Sequence, residues 1–163
     1  MGGNAPFIVF DDADIEMAVK GAIASKYRNA GQTCVCANRI LMQDGVYDSF
    51  TKRLSESAEA MKVADGFEPG AVIGPLIDVK AVEKVEARIA DAVQKGAKVV
   101  TGVKRSALGG TFFEPTALTD VTTHMVITKE ESFGPVAPLY RFKTDDVSAV
   151  PVAMSSAGSR RAR

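Results

Sequence analysis

The chain has 163 residues, the size of a single domain, and 46% of them are hydrophobic, enough for a packed core. Its 20 basic and 20 acidic residues cancel, which leaves no electrostatic case for nucleic acid or an anionic membrane as partner. No apolar run spans a bilayer, the first residues lack a secretion-signal pattern, and two closely spaced cysteines make no disulfide framework, so a reducing cytoplasm is the expected compartment.

Pro6 to Phe10 is a short apolar run and reads as a buried strand. Asp11, Asp12 and Asp14 follow; either of the first two is a candidate cap for the next helix, whose dipole favours acids in its first turn. Ile15, Val19, Ala22, Ile23 and Tyr27 recur at helical spacing, with Arg28 one position off that stripe. Arg39 to Gln43 reads as a second strand closed by an Asp44-Gly45 turn. Tyr47, Phe50, Leu54 and Met61 mark a second helix. From Lys62 to Ile77 the glycines and prolines predict a loop. Asp78 caps a third helix with Val82, Val85, Ile89 and Val93 on its apolar face, and Gly96 ends it. Val99 and Val100 form a short strand, Ser106 to Gly110 a turn, Phe112 to Thr116 the approach to another extended piece, and Pro135 to Phe142 the last strand.

Strands alternating with helices, joined by connections too long for hairpins, predict an α/β fold: a mostly parallel sheet with flanking helices. Ligands bind such sheets beyond the carboxyl ends of the strands. The segment richest in chemistry, Tyr27 to Arg39, departs from that rule because it precedes its strand. It holds both cysteines, Cys34 and Cys36, between a helix end and a strand start. Gly31 suits a left-handed helix-ending position, and the nearby Arg28 is a cation of the kind that favours thiolate over thiol. Core filling is the commoner fate of a cysteine. Half a zinc site is the other alternative, but there are no further cysteines and His124 is the sole histidine, so no metal site is expected. A base for a Cys–His pair would have to be His124, with nothing around it to suggest that role.

Three stretches carry a resemblance. Gly31-Gln32-Thr33-Cys34 resembles the nucleophile segment of the NAD(P)-dependent aldehyde dehydrogenases. Gly2-Gly3-Asn4-Ala5-Pro6 resembles the end of that family's Glu-Leu-Gly-Gly-(Asn/Lys) motif, and Glu130-Glu131-Ser132-Phe133-Gly134-Pro135 its Glu-Glu-X-Phe-Gly-Pro motif. They occur in the family's order. The Tyr27-Arg28-Asn29 lead and the Cys34-Val35-Cys36 pair look most like the succinate-semialdehyde dehydrogenase branch.

The resemblance implies a catalytic-domain fold and a covalent mechanism on Cys34: thiolate addition to an aldehyde, hydride transfer to NAD or NADP, and hydrolysis of the resulting thioester. It makes the Cys34 N–H half of an oxyanion hole, Glu131 the carboxylate that binds the nicotinamide ribose, and Phe133 the aromatic beside the nicotinamide ring. Arg28 becomes the grip on a distal substrate carboxylate, as in a succinate semialdehyde-like aldehyde. Without the resemblance, Phe133 reads as core, Glu131 as a solvated acid and Arg28 as a surface cation at a helix end. Cys36 has no catalytic counterpart; beside Cys34 it is a candidate redox partner in a strained disulfide that would block the nucleophile. The family also implies a homo-oligomer.

The family's general-base Glu stands two residues before the Gly-Gly pair, ahead of Met1, and its dinucleotide-binding domain precedes that point. Residues 1–150 therefore read as a truncated, partial catalytic domain, expected to bind no cofactor and turn over little or no aldehyde on its own. The resemblance is expected to stop at Asp145, and residues 151–163 read as a disordered, non-family tail. Two other readings stay open: a nucleotide-independent Cys34 esterase, and a non-catalytic domain that self-associates through exposed apolar surface.

Overall fold

The computed structural model describes residues 3–143; the tail from 151 lies outside them. Five strands form one sheet: β1 (Ala5–Val9), β2 (Ala37–Gln43), β3 (Lys98–Thr101), β4 (Thr116–Thr119) and β5 (Val136–Phe142). Their order is β1-β2-β5-β4-β3. β1, β2, β5 and β4 run parallel, and β3 closes one edge antiparallel to β4. The sheet is thus mostly parallel with flanking helices, as predicted. Strands β2 and β5 are buried almost throughout, which explains the apolar runs at 40–42 and 136–140, while β2 also buries the polar Asn38 and Arg39.

Helix α1 (Ile15–Lys26) connects β1 to β2 and packs against α2 (Asp44–Glu59), which also touches β2, β3, β4 and β5. Helix α3 (Val79–Gln94) packs on the four-residue α4 (Val126–Lys129), which is too short to carry a periodic signal. The apolar stripes meet the sheet in one core that includes Val19, Tyr27, Ile40, Phe50, Leu54, Val85 and Leu139. Asp78 caps α3 as expected, accepting from the Ala81 N–H at 2.7 Å, and Gly96 ends it at φ +103°.

Four expectations need correction. The cap of α1 is Asp14, which accepts from the Met17 N–H at 3.0 Å. Asp11 and Asp12 are drawn into the turn closed by the Ala13 N–H on the Phe10 carbonyl. Asp44-Gly45 is no turn but the first residues of α2; a Cβ on Gly45 would sit 2.9 Å from the Asp11 carboxyl group, so that exposed side chain would have to shift to admit one. Val93 is 43% exposed at the rim of α3, while Arg88 and Ala92 take the buried positions near that end. Gly31 is left-handed as predicted, but α1 has already ended at Tyr27, and Asn29, Ala30 and Gly31 all have positive φ in a short 3-10 turn (Arg28–Gly31).

Candidate active site

The three motif segments each lie immediately before a strand: Gly3-Asn4 before β1, Thr33–Cys36 before β2, Glu131–Gly134 before β5. These strands are adjacent and parallel, with Ala5 opposite Ala37 and Ile40 opposite Leu139, so their starts share one edge of the sheet. The site therefore sits at the amino edge. That is the physical reason the carboxyl-end rule fails here.

Backbone proximity welds the segments. A Cβ on Gly3 would run into the Cys34 carbonyl oxygen and lie 3.1 Å from Glu131 Oε1, so glycine is what lets the first segment touch the other two. Asn4 is pinned from both sides: its carbonyl accepts from Arg39 Nε at 2.8 Å, and its Nδ2 donates to the Thr128 carbonyl at 3.1 Å. The Gly134 N–H donates to the Gly31 carbonyl at 3.2 Å, and a Cβ on Gly31 would collide with the Gly134 carbonyl. At φ +73° Gly31 also occupies backbone space that a side chain strains to reach. Gln32 ties the turn to the 62–77 loop, accepting from the Ile77 N–H at 2.9 Å and donating to the Pro75 carbonyl at 3.3 Å. Under the turn, Tyr27 donates to the Thr116 carbonyl at 2.8 Å, and burial raises its phenol well above the ordinary range.

On this platform Cys34 is an exposed free thiol, while Cys36 is free and buried. The Cys36 sulfur lies 2.9 Å from Thr33 Oγ1 and 3.7 Å from the Lys26 carbonyl oxygen. Of the two sulfurs, the fold presents Cys34 and uses Cys36 as packing. Glu131 is half-buried, and its Oε1 is buried without a hydrogen-bond partner among the described residues. A solvated acid would not look like this. Phe133 is 41% exposed, so it is not core. Arg28 is exposed in the 3-10 turn, and its guanidinium makes no ion pair or hydrogen bond among the described residues. His124 is exposed beside Lys95, whose Nζ donates to its carbonyl. Among the described residues no group of three His, Cys, Asp or Glu side chains is placed to hold a metal ion.

The orphaned Glu131 oxygen, next to an exposed aromatic and an exposed thiol, fits the nucleotide the resemblance implies. Glu131 would hold ribose hydroxyls and Phe133 the ring.

Sequence reasoning passed over Lys26 and Asn38, both fully or almost fully buried beneath this site. Lys26 had a signal: it falls four residues after Ala22 and seven after Val19, on the apolar stripe of α1 rather than off it.

This chain belongs to the aldehyde dehydrogenase family, whose model matches residues 1–155. The match runs past Asp145, so the resemblance reaches further than the motifs alone indicate. A glutarate-semialdehyde dehydrogenase of Pseudomonas aeruginosa is 60% identical over 156 residues, covering 96% of this chain and 32% of that protein. An NADP(+) succinate-semialdehyde dehydrogenase of Escherichia coli K12 is 60% identical over 145 residues, covering 89% of this chain and 30% of that one. The crystal structure of succinate-semialdehyde dehydrogenase from Burkholderia pseudomallei superposes with TM-score 0.87 at 60% identity, over 88% of this chain and 30% of that chain. The chain thus spans about a third of the length of these relatives. No helix among the described residues is long and apolar enough to cross a membrane.

Proposed function

We propose that this chain is the thiol-bearing part of a semialdehyde dehydrogenase site, with Cys34 as nucleophile and Arg28 as the grip on the substrate's distal carboxylate. The observation that carries the reading is the exposed Cys34 held at the junction of three family motifs. The Cys34 thiolate adds to the aldehyde carbon, forming a C–S bond and placing negative charge on the former carbonyl oxygen, toward which the Cys34 N–H donates. NAD or NADP, when bound, supplies the acceptor for the hydride that leaves this carbon. Glu131 would hold the ribose hydroxyls and Phe133 would pack beside the nicotinamide ring. Water then cleaves the thioester, releasing a carboxylic acid and restoring the thiol. Both curated relatives carry names of semialdehydes with a distal carboxylate, and an unpaired, exposed guanidinium at Arg28 suits that group.

Alkylation protection tests this on the chain itself. Succinate semialdehyde is expected to shield Cys34 from iodoacetamide, read as mass at the Cys34 peptide. Arg28→Leu raises the protecting concentration about 10-fold or more, the worth of a charge-assisted hydrogen bond, and leaves protection by uncharged butanal unchanged. Equal protection by both aldehydes in the parent chain overturns the assignment of Arg28. The chain alone is expected to form little or no NAD(P)H from aldehyde; robust absorbance growth at equimolar enzyme and nucleotide overturns that.

Cys36 is proposed as a redox partner: peroxide takes one hydrogen from each thiol, forming an S–S bond and two waters, and silences Cys34. Two free thiols by mass after peroxide treatment refute it. The fully exposed Phe67 (99%) and exposed Ile77 (86%) support self-association as a second property of the chain, which sedimentation at several concentrations reads directly.

A further inference from the structure

Helix α3 runs alongside the segment that leads into the third motif, and the two are tied at successive turns in opposite directions. The C-cap Lys95 donates to the His124 carbonyl at 3.1 Å. Asp91 accepts from the Val126 N–H at 2.8 Å, at the start of α4. Arg88 Nη2 donates to Glu130 Oε2 at 3.1 Å. A Cβ on Gly134 would run into Val85 Cγ2, so that valine lies against the Gly134 backbone. Residues 95, 91, 88 and 85 stand three or four apart and follow one side of the helix, while their partners climb from 124 to 134.

Between the last two ties lies the 131–133 span, which carries Glu131 and Phe133. The N–H groups of Glu131, Ser132 and Phe133 make no hydrogen bond among the described residues, and Glu131 Oε1 and Ser132 Oγ are buried without partners there. The span is therefore placed by its ends. At the far end the Gly134 N–H reaches the Gly31 carbonyl at 3.2 Å, which joins the span to the cysteine turn.

Arg88 is a costly residue where it stands. Its side chain is 6% exposed against 61% for Glu130, and its Nε is buried without a partner among the described residues. The bond to Glu130 is its one hydrogen bond among them. A single partner that stands mostly in water offsets little of a buried cation's lost hydration. An apolar side chain of similar length would fill the space at less cost. What the guanidinium adds is a directional tie.

We propose that Arg88 and Val85 are positioning residues for the nucleotide side of the site: they clamp the two ends of the 131–133 span, at Glu130 and at Gly134, and so fix it against the turn that carries Cys34. This rests on the proposed function only for what the span then binds.

The Gly134 amide, bonded to Gly31, reports the clamp in the chain itself. By NMR hydrogen exchange, Arg88→Met is expected to speed exchange at Gly134 about 10-fold or more, the scale of a lost hydrogen bond to a charged group. The Leu139 amide in the middle of β5 keeps its rate. The urea midpoint does not fall, because the variant also removes a buried charge. Arg88→Lys, which keeps a cation within reach of Glu130, retains most of the protection. Glu130→Ala truncates a mostly exposed side chain, speeds Gly134 as well, and adds nothing further in combination with Arg88→Met, so the reading survives a poorly folding Arg88→Met. Unchanged Gly134 exchange in Glu130→Ala overturns the proposal, and so does equal quickening at Gly134 and Leu139 in Arg88→Met. If succinate semialdehyde fails to protect Cys34 while Gly134 still answers to Arg88 and Glu130, the aldehyde reading falls and this one stands; the opposite pair of results removes only this one.

Discussion

The two ends of the parallel strands differ in how their polar groups are treated. At the carboxyl edge, Arg141 on β5 donates to Asp44 and Asp48, both at 2.6 Å, and its guanidinium sits 4.1 Å from the centre of the Tyr47 ring. The Asp11 N–H donates to Gln43 Oε1 at 2.9 Å, and Phe10 meets Phe142 edge-on at 5.7 Å. At the amino edge, Asn4 Oδ1, Asn38 Nδ2, Glu131 Oε1 and Ser132 Oγ are all buried without partners among the described residues. The carboxyl edge is closed mostly by matched pairs, although Thr51 Oγ1, beside Tyr47, Asp48 and Arg141, is also buried without a partner among the described residues; the amino edge gathers four such atoms around an exposed thiol. Proteins satisfy buried polar groups wherever stability alone decides, so the end that breaks the rule more often is the end where chemistry is to be sought.

The largest effect expected from this contrast is at the thiol. Cys34→Ala in an enzyme of full family length is expected to lower kcat by about four orders of magnitude or more, as loss of a covalent nucleophile does, measured as semialdehyde-dependent NAD(P)H formation. Substantial residual turnover would place the chemistry elsewhere.

Stability against pH sharpens the contrast next. The native Lys26 holds its proton less tightly than the unfolded one, from an ordinary 10.5 down to about 8 because of burial. Between those values the unfolded chain binds more protons than the folded one, so stability rises with pH across about 8 to 10. Over the whole interval the gain is on the order of 3 kcal/mol. Tyr27 and Tyr140 act in the other direction. Burial pushes Tyr140 up to about 12 and Tyr27 higher still. Above about pH 10 the folded state is therefore the one that binds more protons, and stability falls. Urea midpoints against pH should peak near 10, and Lys26→Met should flatten the rising limb.

Gly31→Ala forces a side chain into a left-handed position and against the Gly134 carbonyl. The expected loss is about 2–3 kcal/mol by urea denaturation, with altered Cys34 alkylation because the same turn carries the thiol. Arg141→Met at the opposite edge should cost only about 1 kcal/mol, since its ion pairs are substantially exposed, and leave the Cys34 alkylation rate unchanged. If Arg141→Met slowed Cys34 and Gly31→Ala did not, the division between the two edges would be wrong.

Apolar runs and helical spacing located β1, β2, β3, β5 and the three long helices to within a few residues, because apolar spacing reports which face each element buries; β4 (Thr116–Thr119) is marked only by the extended approach to it. Spacing misjudged places where a neighbour distant in sequence decides. Asp44-Gly45 looks like a turn, yet α2 begins there at once, with the Asp11 carboxyl group packed close over Gly45. Asp11 and Asp12 are as good caps as Asp14 by composition, but the Phe10–Ala13 turn takes them. Lys26 was passed over, and only its position on the apolar stripe hinted at its burial.

By itself, the sequence determined that this is an α/β chain carrying a cysteine segment between helix and strand, flanked by two further motifs in the aldehyde dehydrogenase order. Tertiary structure alone decided that the three motifs meet at the amino edge of adjacent parallel strands, that Cys34 faces out while Cys36 packs in, and that a buried lysine underlies them. The reason is physical: local spacing encodes which side of an element is apolar, whereas the closeness of Gly3, Cys34 and Glu131 depends on strand order and register, which span the whole chain.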